Sequence, residues 1–206
     1  RCRVLQGTRG PGMEGVKGSL ESWKTTLSLH HPELPEVWVS YPGVFAHGRL
    51  DAGTRLLLEA LPAVPGGASV LDYGCGSGIV GSVAGRRGRE LDVELLDVDA
   101  VALRAAAENV PNSRCLLCDG FPNTPGPSYD AVFSNPPFHR GKGEDPGMIS
   151  SLIQGAPGVL KRDGCLVFVT QRRIPVRREL EGRFREVSVL AEDPTFRVWM
   201  GRGVRS

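Results

Sequence analysis

The stretch Val70-Leu71-Asp72-Tyr73-Gly74-Cys75-Gly76-Ser77-Gly78 constrains the fold of this chain more than any other: an apolar run ends on an acid and then on glycines at alternate positions. The compact apolar residues 68–71 predict a buried strand, and residues 79–85, beyond the loop, predict a helix. Glycine at 74, 76 and 78 permits positive φ and lets a ligand approach bare backbone, as a strand-to-helix ligand loop requires. The spacing is G-x-G-x-G rather than the G-x-G-x-x-G that cradles a dinucleotide pyrophosphate, so the ligand need not be a diphosphate. Taken alone, such a triplet also reads as a tight turn.

The surrounding pattern repeats this unit. Residues 50–61 read as an amphipathic helix closed by a turn over 62–67. Strands are predicted over 93–96, 114–118, 129–134 and 165–170, with helices over 100–109 and 149–160 between them. Residues 187–191 and 196–200 form a closing strand pair that turns at 192–194. Short apolar strands alternating with helices imply an α/β fold whose parallel sheet is covered on both faces.

A chain of 206 residues has room for one substantial core and a short extension. Residues 1–36, rich in Gly, Arg, Ser and Pro, read as an N-terminal extension or arm, and residues 37–206 as the functional domain. The first residue is Arg1, so a fragment or processed product of a longer protein is expected, with a trimmed organellar leader as a variant of that reading. No run of about 18 apolar residues is present to cross a membrane. The formal net charge of +2 permits RNA binding without arguing for it, so an RNA footprint must be local. Cys2, Cys75, Cys115, Cys118 and Cys165 are odd in number and mostly lie in apolar runs, which points to reduced thiols. Cys115-x-x-Cys118 lacks a second pair or a His cluster at zinc spacing, so no metal is expected.

Three further motifs follow the glycine loop. Asp97, just past the second strand, is placed to accept the two ribose hydroxyls of an adenosine cofactor, and Asp99 to cap the next helix. Asp119-Gly120-Phe121 ends the third strand and offers a carboxylate, a flexible glycine and an aromatic face for an adenine amine and edge; alone it reads as a turn. Asn135-Pro136-Pro137-Phe138-His139 follows the fourth strand. Its prolines stiffen the loop and leave the Asn135 amide and the Pro136 carbonyl free to accept bonds from one planar NH2 group, while Phe138 stacks on a base. Such a site needs little acid–base power, because positioning does most of the work beside a reactive sulfonium.

Together these motifs resemble the class I methyltransferases of the Asn/Asp-Pro-Pro-Tyr/Phe type. More narrowly, they are similar to the ribosomal RNA guanine-N2 methyltransferases of the RsmC kind and related small archaeal proteins. The likeness includes Gly43-Val44-Phe45 and Leu50-Asp51-Ala52-Gly53-Thr54 and runs from about Val37 to Met200. It implies a Rossmann-like, seven-stranded, mostly parallel sheet with an antiparallel C-terminal hairpin, binding S-adenosylmethionine at the carboxyl ends of the first strands. Asp51, Thr54, Asp72, Gly74, Gly76, Gly78, Asp97, Asp119, Gly120, Phe121 and Asn135 would hold that cofactor. Asn135, Pro136 and Phe138 would present the amine, and His139, Arg140, Lys142 and Arg172 would contact the substrate. Arg173, Arg177 and Arg178 belong to the same basic border, which also reads as an ordinary solvated face.

The implied activity is methylation of an exocyclic base amine, guanine N2 of ribosomal RNA. Adenine or a protein glutamine amide is the alternative substrate, and a non-catalytic ribosome-associated module the alternative class. Expected partners are ribosomal RNA or a ribosomal subunit and a separate substrate-recognition domain or protein; the expected location is the cytoplasm, or an organellar matrix. The bacterial enzymes of this kind carry a degenerate second domain ahead of the catalytic one, and Ala46 stands where they usually have a serine. Trp23, Trp38 and Trp199 read as core or interface anchors.

Overall fold

The computed structural model describes residues 18–46, 48–122, 128–136, 139–140, 143–144 and 146–205. A single 3-10 turn, Leu20–Trp23, leads into a hairpin of β1 (Thr25–Leu27) and β2 (Trp38–Ser40). Then follow α1 (Ala52–Ala60), β3 (Ser69–Tyr73), α2 (Ile79–Arg87), β4 (Asp92–Asp97), α3 (Ala100–Asn109), β5 (Arg114–Leu117) and β6 (Tyr129–Ser134). The short pair β7 (His139–Arg140) and β8 (Gly143–Glu144) precedes α4 (Pro146–Val159), β9 (Leu160–Gln171), α5 (Arg177–Glu181), β10 (Phe184–Glu192) and β11 (Phe196–Val204).

Seven strands form one sheet in the order β10-β11-β9-β6-β3-β4-β5. The five from β9 to β5 run parallel, and β11 and β10 close the sheet antiparallel. Neighbouring residues on the central strands point to opposite faces. Val70, Phe133, Val167 and Val169 therefore pack with Leu57 and Leu58 of α1 and Val80 and Val83 of α2. Leu71, Val132, Leu166 and Phe168 pack on the other side with Ile149, Leu152 and Ile153 of α4 and Leu180 of α5. Burial on both faces is why these strands read as unbroken apolar runs.

The chain proceeds outward from β3 to β4 and β5, then returns to place β6 on the other flank of β3. That reversal opens a crevice at the carboxyl ends of β3 and β6, where the glycine loop and Asn135 both emerge.

Three expectations about elements shift. Regular structure begins earlier than residue 37: β1 pairs with β2, and Leu29 and Leu34 are buried in the core beside Leu57. Widely spaced apolar residues in a polar segment gave no period to detect. The ninth strand starts at Leu160 rather than 165, because its pairing with β6 slips between Tyr129 and Ala131 and leaves the exposed residues 161–163 bulged between the pairs at Leu160 and Cys165. The five-residue α5 falls where the sequence presents only a basic border. Trp38 and Trp199 are core residues at 1% and 2% exposure, whereas Trp23 is 45% exposed.

Candidate functional site

The glycine loop takes its shape from its neighbour. The amides of Gly74 and Cys75 both donate to the Leu96 carbonyl at the end of β4, at 2.8 and 2.9 Å. Gly74, Gly76 and Gly78 all have positive φ, so the predicted need for glycine is met at each position. Asp97 serves two backbone amides at once: Oδ2 accepts from Gly76 N at 2.8 Å and Oδ1 from Asp99 N at 2.9 Å. Each carboxylate oxygen retains capacity to accept a further bond, and Asp97 lines the cleft. Asp99 caps α3 as expected, accepting from Val101 N and Ala102 N.

Asp72 lies beneath the loop at 1% exposure, and its Oδ2 accepts from Gly81 N at 2.8 Å. Burial pushes its carboxyl up to about 7; the Gly81 amide pulls the other way, and the charge of Asp97 adds to the rise. Glycine at 81 leaves room for the Leu95 side chain. A Cβ there would sit 2.4 Å from Leu95 Cδ2 and 3.2 Å from Asp72 Oδ2.

The loop is braced from outside by residues that the motifs did not flag. Trp38 Nε1 donates to Ser77 Oγ at 3.0 Å, and Asn109 Nδ2 donates to Ser77 O at 3.0 Å. Asn109 also exchanges two 2.8 Å bonds with the backbone of Val39, tying β2 to the end of α3.

Across the cleft, Ser134 Oγ donates to Tyr73 O at 2.7 Å and locks the ends of β6 and β3 together. Asn135 follows. Its Nδ2 donates to Thr54 Oγ1 at 2.8 Å and to Asp51 Oδ2 at 3.2 Å, and Asp51 in turn caps α1 by accepting from Thr54 N. Its Oδ1 is buried and has no hydrogen-bond partner. An unmatched buried acceptor costs about 1–3 kcal/mol, so one at the wall of a cleft marks where a donor belongs.

Tyr73, Gly74, Gly76, Asp97, Asp119 and Asn135 line the cleft, together with Phe45, Val98 and Met148. Thr54, Asp72 and Ala46 line its continuation toward α1. Phe45 and Val98 are 60% and 64% exposed and give the cleft apolar walls. Phe121 does not line the cleft. Its ring packs on Tyr73, with centroids 4.4 Å apart, and against Gly155 of α4, so it backs the wall that Tyr73 presents.

Arg172 sits at the carboxyl end of β9, its amide bonded to Thr195 O and its guanidinium 3.9 Å from Glu192. Arg197 pairs with the same Glu192 at 2.6 Å, and Arg177 and Arg197 both lie about 5 Å from the Trp199 ring. Pro136 is buried. Phe138 and Lys142 fall outside the described residues; for His139 and Arg140 only the strand assignment is described.

Within this frame, a profile of the methyltransferase small domain family matches residues 37–200. The chain belongs to that family. The ribosomal RNA small subunit methyltransferase C of Chromohalobacter salexigens is 46% identical to this methyltransferase small domain over 165 residues, which cover 78% of the chain and 49% of the relative. The protein of the same name from Alcanivorax borkumensis is 36% identical over 206 residues, covering 96% and 60%. The chain thus spans about half the length of the curated relatives it matches. Among solved structures, the T. thermophilus 16S rRNA N2 G1207 methyltransferase (RsmC), in complex with AdoMet and guanosine, superposes with a TM-score of 0.74 at 23% identity, covering 87% of this chain and 50% of that one. The fold is accordingly the Rossmann-like class I methyltransferase fold, its parallel sheet closed by the antiparallel C-terminal pair.

Among the described residues, no helix is long and apolar enough to cross a membrane, and no group of three or more His, Cys, Asp or Glu side chains is arranged to hold a metal ion.

Proposed function

We propose that this domain binds S-adenosylmethionine in the cleft and methylates the exocyclic N2 amine of guanine in ribosomal RNA. The observation that carries the reading is the Asn135 carboxamide, its nitrogen held from behind and its buried oxygen without a partner at the cleft.

The residues present suit the cofactor. Asp97 keeps acceptor capacity for ribose hydroxyls, Gly74 and Gly76 offer bare backbone, and Asp119 and Gly120 suit an adenine amine. Asp51, Thr54 and Asp72 lie at the opposite end, beside Asn135, where the methionine portion would be held. When bound, S-adenosylmethionine supplies an electrophilic methyl group on a sulfonium.

The chain's part is positioning. Asn135 Oδ1 accepts one amine hydrogen and the Pro136 carbonyl the other, which draws the nitrogen lone pair out of conjugation and toward the methyl group. Phe138, read from the sequence, stacks on the base. Asn135 and Pro136 would hold the amine as it takes the methyl group that the cofactor supplies and gives up one proton to solvent. Guanine in ribosomal RNA is supported by the names of the relatives and by the guanosine bound in the T. thermophilus enzyme. We infer a cytoplasmic site of action on the same grounds, with Arg140, Lys142 and Arg172 contacting RNA. A substrate-recognition domain or protein would be a further partner in that reaction.

Ribosomal RNA from cells lacking the protein, incubated with purified protein and labelled cofactor and digested to nucleosides, tests the reading by mass spectrometry. Label in N2-methylguanosine is expected. Label in an adenosine derivative would replace the substrate, and cofactor binding without transfer would leave a non-catalytic ribosome-associated module.

A further inference from the structure

Asn135 presents an acceptor to the cleft only while its amide stays one way round, and a carboxamide is nearly symmetric in shape. We propose that Thr54 and Asp51 are positioning residues whose joint task is to fix that orientation; the inference rests on the methyl-transfer reading above and adds the device on which it depends.

The geometry is one-sided. Asn135 Nδ2 meets two acceptors, Thr54 Oγ1 at 2.8 Å and Asp51 Oδ2 at 3.2 Å. Rotating the amide by half a turn would set Oδ1 against the Asp51 carboxylate, acceptor facing acceptor, and turn an NH2 toward the cleft, where it would repel the substrate's own amine hydrogens. Asp51 is itself held, because its Oδ2 also accepts from Thr54 N at 3.0 Å as the cap of α1. Thr54 is 5% exposed, so water does not compete freely for its hydroxyl.

Gly53 completes the device. A Cβ at that position would lie 3.1 Å from Asp51 Oδ2 and 3.3 Å from the Phe196 ring. Glycine inside a helix costs about 1 kcal/mol against alanine. Here it leaves the Asp51 carboxylate room to serve the cap and Asn135 together. The run Asp51-Ala52-Gly53-Thr54 thus acts on the reacting amine through Asn135 rather than by touching it.

The decisive variant is Thr54→Val, which keeps the shape and removes the acceptor. At saturating cofactor we expect kcat for guanine methylation to fall about 10- to 100-fold in Thr54→Val, and Thr54→Ser to recover kcat to within about threefold. A parallel measurement does not need turnover. In 15N-labelled protein the Asn135 side-chain NH2 is expected to be protected from solvent exchange, and Thr54→Val to accelerate that exchange at least about tenfold. Unchanged kcat, or an NH2 group that exchanges freely already in the unsubstituted protein, overturns the inference. Protein that methylates no guanine yet shows the protected NH2 and its loss in Thr54→Val would refute the substrate reading and leave the orientation device standing.

Discussion

The two flanks of the cleft are built on opposite terms. On the β4 side, Asp97 satisfies two backbone amides before any ligand arrives, and the glycine loop is closed by the Leu96 carbonyl. On the β6 side, Asn135 is fully bonded through its nitrogen and left open at its oxygen. The first flank is a finished surface to which a ligand adds bonds. The second is an incomplete one that a ligand must complete. A group that binds should gain from the first and a group that reacts should depend on the second, so substitutions on the two flanks ought to separate affinity from rate.

Asn135→Ala tests that separation most severely: methyl transfer is expected to fall about 1000-fold in single-turnover assays, with cofactor affinity by calorimetry changed less than about fivefold. If affinity falls as far as rate, the two flanks are not distinct. Asp97→Ala should do the reverse, weakening cofactor binding about 10- to 100-fold while saturated turnover stays within about tenfold. Between them lies Asp72. Its carboxyl keeps a proton up to about pH 7 in the fold but releases it near 3.8 when unfolded. It therefore contributes stability that is complete below the lower value and is lost as pH rises through about 7. Asp72→Asn should gain about 2 kcal/mol on the unsubstituted protein between about pH 5 and pH 8 in chemical denaturation; a parallel pH dependence of the two proteins would count against it. The smallest effect is expected from Gly81→Ala, a loss of about 1–2 kcal/mol in thermal unfolding as Leu95 is displaced within the core.

The sequence made the β4 flank legible because its chemistry depends on backbone shape. Glycine at 74, 76 and 78, Asp97 at a strand end and Asp99 before a helix are all local signals; the glycines take positive φ and Asp99 caps its helix. Asn135 was equally visible beside its prolines. Its relation to Thr54 was not, because 81 residues separate them and only packing of α1 against the sheet brings them together. Phe121 shows the same limit from the other direction: an aromatic beside a motif carboxylate looked like a wall of the cleft, but Gly155 offered its ring a closer seat. Val98 and Met148 carried no local mark at all.

The brace between Trp38, Ser77 and Asn109 has a practical consequence for anyone cutting this domain out of a longer chain. The family match starts at residue 37, one position before Trp38, yet Leu29 and Leu34 pack in the same core as Trp38, and Lys24 pairs with Glu108 on α3. A boundary drawn where the family match begins would strip β2 of its partner strand and remove two buried leucines beside the tryptophan that steadies the glycine loop. The unit that folds therefore begins well upstream of residue 37, where the family match starts.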